Sequence, residues 1–194
     1  MKYIIPIIIL SFVLLSCSKE EETQTEAEKA AAAQLVALEG TWKTACYINS
    51  DNTSWIDTIT MAGNSLTGNF EKHSGISCAT DYSSEELSLT VSIGDAVTFS
   101  NGKTGHKFTL TQGSTYKKTP QSAAAVSAFN SSSECSKSDW ALNTEKECST
   151  GDDAGDIYLC LYQLDGNNWY PQCCSNSYPS SIDTSDTSIT YTKQ

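Results

Sequence analysis

The chain of 194 residues carries 23 acidic and 12 basic side chains, so its formal net charge at pH 7 is −11. All the basic residues are lysines, and the lack of arginine and of a basic cluster excludes nucleic acid as a partner. An acidic surface is also repelled by anionic lipid headgroups, so surface charge does not hold this protein to a membrane.

The N-terminus, residues 1–16, has the organisation of a secretory signal peptide. Lys2 is followed by an almost wholly apolar run at 4–15, which is shorter than the roughly 20 residues that span a bilayer. The run ends in Leu-Leu-Ser and then Cys17, and this sequence resembles the bacterial lipobox. The resemblance implies cleavage before Cys17 and attachment of fatty acids such as palmitate to its thiol and its new amine. A plain cleaved signal with an unmodified Cys17 is the alternative.

A lipid anchor of this kind would hold the protein in the bacterial cell envelope. Several acyl chains at about 0.8 kcal/mol per buried CH2 give stable attachment, whereas one chain does not. Ser18 follows the cysteine, which is similar to the sorting pattern of lipoproteins released to an outer membrane. We therefore expect the membrane, through the anchor, as a partner and the outer membrane as the location.

Residues 17–38, which begin with the lipidated cysteine, are predicted to form an acidic and flexible tether. Five glutamates lie between Glu20 and Glu28, and four alanines follow at 30–33. Nothing in this composition is expected to bury a core, so we predict a disordered segment or a frayed helix.

The remaining residues, 39–194, predict one disulfide-containing domain made mostly of strands. Residues 87–93 alternate apolar and polar side chains without interruption, which is the period of a strand with one buried face. Gly-Asp at 94–95 predicts a tight hairpin, and Asp-Gly-Asn-Asn at 165–168 predicts another. The predicted strands are 42–48, 55–62, 66–72, 87–93, 96–99, 107–111, 157–164, 169–174 and 189–192.

One stretch of the domain departs from the strand pattern. Residues 120–129 are alanine-rich and begin with proline, which predicts a short helix. A polar loop follows, and residues 140–142 suggest a second helical turn.

The strand count predicts a mainly β fold. About eight to ten short strands in nearly unbroken order suit a single antiparallel up-and-down barrel with a short helical insertion, or a β-sandwich. The barrel is preferred because closure leaves no exposed sheet edge.

Eight cysteines are present, and seven remain after Cys17 is set aside. In an oxidising compartment most of them should form disulfides, and the odd number leaves one thiol free or bonded to another chain. The preferred pairs are Cys46 with Cys78 and Cys135 with Cys148. Cys160 is expected to take Cys173 or Cys174, and this choice stays open because connectivity cannot be deduced from sequence.

Gly40-Thr41-Trp42 lies where the tether ends and the first strand begins. It resembles the Gly-x-Trp that opens the first strand of lipocalins, which are eight-stranded antiparallel barrels. The resemblance implies that Trp42 closes one end of the barrel and that the barrel forms a cup for one small apolar ligand. The family's Thr-Asp-x-x-Tyr motif and its late arginine are absent. A glycine bend before an ordinary core tryptophan is the alternative.

The sequence offers no pattern for catalysis, a metal or a cofactor, so we expect a non-enzymatic protein. His73 and His106 are the only imidazoles and are predicted to be exposed in loops. No nucleophile elbow, phosphate loop, Cys-x-x-Cys pair or complete calcium loop is present. The acidic turns at 152–156 and 165–168 are predicted to be solvated. Aromatic residues that could form a binding rim, unless they pack in the core, are Trp55, Trp169, Tyr170 and Tyr178.

Two functions remain open. The first is a lipid-anchored barrel that binds a small hydrophobic ligand in its mouth. The second is a structural or interaction lipoprotein that has a filled barrel and contacts an envelope protein partner. The interior discriminates between them, because an apolar cavity of roughly 300 Å³ or more favours the ligand binder.

Overall fold

The computed structural model of the chain describes residues 25–99, 102–174, 177–182, 184 and 190–194. The predicted signal peptide, the lipidation site Cys17 and the first part of the predicted tether lie outside the described residues. The helices are α1 (Glu26–Leu38) and α2 (Ala123–Ser132), with single 3-10 turns at Glu134–Ser136 and Gly151–Asp153. The strands are β1 (Gly40–Thr44), β2 (Tyr47–Ile48), β3 (Ser54–Ala62), β4 (Ser65–His73), β5 (Asp81–Thr98), β6 (Thr104–Pro120), β7 (Lys146–Ser149), β8 (Ile157–Asp165), β9 (Asn168–Cys174) and β10 (Tyr191–Lys193).

Eight of these strands close an antiparallel, up-and-down barrel. The order around the barrel is β1-β3-β4-β5-β6-β8-β9-β10, and the pairing of β10 with β1 closes it. Strand β2 pairs with the start of β3, and β7 pairs with the last part of β6. The predicted mainly β barrel with a short helix is confirmed, and the sandwich is not adopted.

Strand β5 is much longer than the sequence pattern predicts. The hairpin predicted at 94–95 is wrong, because β5 continues through it with a register shift between Ile93 and Ala96. A Cβ on Gly94 would lie 3.2 Å from the Cβ of Lys107 on β6. This glycine therefore permits a close approach of two strands at a bulge and does not make a turn.

The predicted helix is present as α2, while the helical turn predicted at 140–142 is wrong. Helix α2 begins after Ser122, whose side chain accepts a hydrogen bond from the backbone N–H of Ala125. The backbone N–H and carbonyl oxygen of Trp140 are both bound by the side-chain amide of Asn130, at 2.7 and 3.0 Å. These bonds fix Trp140 outside a helix, because they occupy the groups that helical bonds would use.

Helix α1 closes one end of the barrel, which we call the closed end. Leu38, its last residue, has no exposed surface, and Leu35 packs against the barrel core. The hydroxyl of Tyr162 also donates to Oε1 of Gln34, at 3.2 Å. The prediction that residues 17–38 bury nothing is therefore wrong for the last turn of α1, because Leu35 and Leu38 lie on one helix face and meet the barrel together.

The opposite end, where β3 begins and β4 ends, is the open end. There β5 and β6 extend beyond the start of β8, and β7 takes the place of β8 as the neighbour of β6. Helix α2 packs on this extension over a small separate core that includes Phe129, Trp140 and Cys148. The extension therefore forms a wall on one side of the open end.

The middle of the barrel is filled by side chains. Trp42, Phe108 and Tyr162 are each 1% exposed. Their rings meet edge to face or at a tilt, with Trp169 between them, 5.8 Å from Trp42 and 6.2 Å from Phe108 between centroids. No ligand could pass along the axis from one end to the other without displacing this packing.

Candidate ligand-binding site

Among the described residues, three disulfides join Cys46 to Cys78, Cys135 to Cys148, and Cys160 to Cys173. Both preferred pairings are present. Cys160, for which the sequence leaves both Cys173 and Cys174 open, pairs with Cys173. Cys174 is a free, exposed thiol. The cause is strand alternation: Cys160 and Cys173 are directly opposite each other on β8 and β9, while Cys174 points to the other face.

The sequence predicts that both histidines are exposed in loops, and this prediction is wrong, because both lie in strands. His73 ends β4 and is 5% exposed, with Nδ1 3.2 Å from Oδ1 of Asp81 but without hydrogen-bond geometry. His106 lies on β6 and stacks on the Tyr162 ring, 5.6 Å away between centroids. Burial lowers the pKa of His106, so its neutral form is favoured.

Strand register places Ser54, His73 and Asp81 in one row across β3, β4 and β5. These are the residue types of a catalytic triad, but the geometry is not that of one. The Ser54 hydroxyl has no exposed surface and accepts a 2.8 Å hydrogen bond from the backbone N–H of Cys78. Nε2 of His73 has no hydrogen-bond partner in the described chain. This row therefore offers no activated nucleophile.

Within the described ranges, no group of three or more histidine, cysteine, aspartate or glutamate side chains could hold a metal ion. In the same part of the chain, no helix is both long and apolar enough to cross a bilayer.

An apolar cup of about 170 Å³ opens above the packed middle, toward the open end. The rings of Phe108 and Trp169 belong to the packed middle and also line the cup, so we describe them as its floor. The walls include Ile59, Leu66, Phe70, Leu89, Leu110 and Tyr191. A molecule in this cup would meet almost only carbon surface.

The ring of Phe70, part of the cup wall, lies against Gly68. A Cβ added to Gly68 would lie 2.6 Å from the Phe70 ring, so the ring rests directly on the glycine backbone. Gly68 therefore keeps this wall of the cup in place, because any larger residue would push the ring away.

Asp57 is a buried carboxylate whose strand neighbours line the cup. It is two residues from Ile59 on the same face of β3, and it lies directly opposite Phe70 on β4. Its carboxylate accepts hydrogen bonds from the Tyr47 hydroxyl, at 2.9 and 3.1 Å, and from the Tyr191 hydroxyl, at 3.2 Å. We call these three residues the Asp57 cluster.

Burial determines the protonation of the Asp57 cluster. It raises the pKa of Asp57, and the two tyrosine hydrogen bonds oppose this only in part. Burial and the nearby carboxylate raise the pKa values of Tyr47 and Tyr191 far above their ordinary value, so both phenols stay protonated. The Cys46–Cys78 disulfide links Cys46, the residue before Tyr47, to Cys78, and this covalent link helps to hold β2 in place.

A second hollow of about 280 Å³ lies nearer the open end, where β5, β6 and β7 form the wall. Leu87 lines this hollow and Leu89 lines the cup, and the two residues lie on the same face of β5 because they are two positions apart. Its lining is more polar and includes Glu85, Gln112 and Asp153. The site as a whole is therefore apolar at depth and polar, with acidic groups, towards solvent.

The aromatic residues predicted as a rim do not form one. Trp169 is 1% exposed and lies in the floor of the cup, with its indole N–H unpartnered among the described residues. Trp55 is half-buried, with Lys72 above its ring at 5.3 Å. Tyr178 lies on the outside of the barrel, where its hydroxyl is 3.2 Å from that of Thr109.

Sequence reasoning missed the Asp57 cluster, although one signal was present. Strand β3 alternates with an inward face of Trp55, Asp57, Ile59 and Met61, in which Asp57 is the only charged residue. A lone carboxylate on an otherwise apolar strand face indicates a buried charge with specific partners. No local signal identified Tyr191, because it is 134 residues away in sequence.

No model of a known protein family matches the chain, and no curated protein matches it. The fold therefore defines the class by itself: a closed, eight-stranded, antiparallel up-and-down barrel, consistent with the lipocalin-like architecture that the Gly-x-Trp resemblance implied.

Proposed function

We propose that this protein is a lipid-anchored lipoprotein of the bacterial outer membrane whose barrel binds one small, mainly apolar ligand at its open end. The ligand is bound and not chemically changed. The observation that carries the proposal is the apolar cup of about 170 Å³ beside the Asp57 cluster. The signal-like N-terminus and Cys17 support the anchor.

The size of the cup restricts the ligand. An engineered apolar cavity of about 150 Å³ in another protein holds one benzene molecule. The cup of about 170 Å³ is therefore suited to a single ring or a short branched alkyl group. It is smaller than the roughly 300 Å³ that distinguishes a binder of larger ligands from a filled barrel, and the packed middle leaves no room for a fatty acid. The proposal is therefore confined to ligands of about one ring.

Binding can be tested by thermal unfolding of the unlipidated mature chain, beginning at Ser18, with toluene, indole or a fatty acid added. We expect toluene and indole, but not the fatty acid, to raise the unfolding temperature, because a ligand that binds only the folded state stabilises it. Leu89→Trp would fill the cup and abolish the shift. Leu142→Trp, at a residue that is 52% exposed in the α2 region, should leave it unchanged. No shift for either small ligand would contradict the proposal.

The anchor needs a separate experiment in cells fed labelled palmitate. The wild-type chain should carry the label and sediment with the outer membrane, and Cys17→Ala should lose both. Cys174→Ala is the matched control, because it removes an exposed thiol of the folded domain. A wild-type protein without acyl mass on its first residue would refute the anchor.

A filled barrel that only contacts an envelope protein is the second candidate function. The observation in its favour is the packed middle, where Trp42, Val91 and Phe108 are 1–3% exposed. The ligand experiment separates the two candidates, since a filled scaffold would show no shift with toluene or indole.

A further inference from the structure

Asp57 is a buried carboxylate without a cationic partner among the described residues. It is 7% exposed, and none of the ion pairs in the described chain includes it. Its side-chain partners are the neutral hydroxyls of Tyr47 and Tyr191. A buried charge is costly unless it is paired, so this position favours a cation brought from outside.

The lysines near the open end are already engaged elsewhere. Lys118 lies between Glu85 and Glu134, with its Nζ 2.7 Å from a carboxylate oxygen of each. Lys72 lies over the ring of Trp55 and reaches the exposed carboxylate of Asp51. The open end of the barrel therefore has an excess of negative charge, which attracts cations and repels carboxylates.

The cup beside this carboxylate has the size and walls for one aromatic ring. Its aromatic residues are Phe70, Phe108, Trp169 and Tyr191, and ring pairs gain about 0.5–1.5 kcal/mol beyond their buried area. Tyr191 both lines the cup and donates to Asp57. A substituent one or two bonds from a ring in the cup would therefore reach the Asp57 cluster.

We propose that the ligand of this site is a small aromatic amine, whose ring occupies the cup and whose ammonium group pairs with the Asp57 carboxylate. This inference rests on the proposed function, because it requires the cup to take a ligand. It adds the chemical class: a cationic head of one unit charge on a single ring. Aromatic acids and fatty acids of the same size are rejected by the negative charge of the open end.

The experiment is a calorimetric titration of the unlipidated mature chain at pH 7 with benzylamine, benzyl alcohol, toluene and phenylacetate. We expect benzylamine to bind at least tenfold more tightly than benzyl alcohol, and phenylacetate not to bind. Asp57→Asn should reduce benzylamine affinity about tenfold and leave toluene affinity unchanged. Asp165→Asn is the matched control, because it removes an exposed carboxylate at the closed end.

The outcomes separate the two proposals. Equal affinities for benzylamine and benzyl alcohol, or full benzylamine affinity in Asp57→Asn, would overturn the assignment of an amine while leaving the cup as a binding site. Failure of all four compounds, toluene included, would instead refute the proposed function. The comparison of ligands on the wild-type chain keeps the amine proposal testable if Asp57→Asn does not fold.

Discussion

The indole N–H of Trp42 donates a 2.7 Å hydrogen bond to the backbone carbonyl oxygen of Leu38, and both residues are at most 1% exposed. Leu38 ends α1, and Trp42 lies in β1, so this bond joins the helix to the barrel at the closed end. It gives one of the unpaired carbonyl groups at the helix C-terminus a donor. The Gly-x-Trp of the sequence is thus located where the resemblance implies, with the tryptophan inside one end of the barrel.

Replacing Trp42 by phenylalanine should lower the free energy of unfolding by about 1–3 kcal/mol, because the Leu38 carbonyl oxygen would stay buried without a donor. Urea denaturation measures the change. Trp55→Phe is the control: its indole N–H also has an acceptor, the Thr53 hydroxyl, but the side chain is half-buried. A loss for Trp55→Phe equal to that for Trp42→Phe would contradict the role given to burial.

The raised pKa of Asp57 predicts a specific pH dependence of stability. The folded state binds this proton more tightly than the unfolded state, in which the pKa is about 3.9. The group therefore stabilises the fold fully below about pH 3.9, and this contribution is lost as the pH rises through the folded pKa.

The comparison of the wild-type chain with Asp57→Asn isolates the contribution of Asp57 protonation to the free energy of unfolding. Between about pH 4 and 7, the wild-type free energy of unfolding should decline relative to that of the variant. Urea denaturation at several pH values measures the difference. Parallel curves for the wild-type chain and Asp57→Asn over this range would contradict a raised pKa of Asp57.

Alkylation of the exported, unreduced protein should modify one cysteine, and we predict that it is Cys174. Its thiol is exposed, whereas Cys160 and Cys173 are bonded across β8 and β9. Peptide mapping by mass spectrometry without reduction identifies the labelled residue. Recovery of a Cys160–Cys174 peptide, with the label on Cys173, would reverse the assignment.

Removing the Cys135–Cys148 disulfide should lower the local stability of residues 123–149, which include α2 and β7, and should leave the barrel strands β3 and β4 unchanged. Both cysteines belong to the small core under α2, and Cys148 is 1% exposed. The loop that they close has a length for which the disulfide contributes about 3 kcal/mol. In the Cys135→Ala/Cys148→Ala variant, hydrogen exchange should quicken at 123–149 and stay unchanged in β3 and β4. Equal acceleration in both regions would mean that the two parts unfold as one unit.

Local patterns were sufficient where a strand or turn depends on its own residues. The alternation at 87–93 lies within β5, and the turn at 165–168 joins β8 to β9. The preferred pairing of Cys46 with Cys78, which lie 32 residues apart, is also present. The N-terminal expectations for 1–16 and Cys17 stay predictions, as does the strand residue Ile189, which lies outside the described residues.

The sequence by itself determined a mainly β fold of short strands, because alternation and turn residues act over a few neighbours and leave little choice of element type. It left the choice between a barrel and a sandwich open. Only the tertiary structure decided the candidate site. Closure of the sheet brings Tyr191 from the last strand to Asp57 on the third, and it places the last turn of α1 over Trp42. Such contacts depend on strand register and on barrel closure, which no short window of sequence encodes.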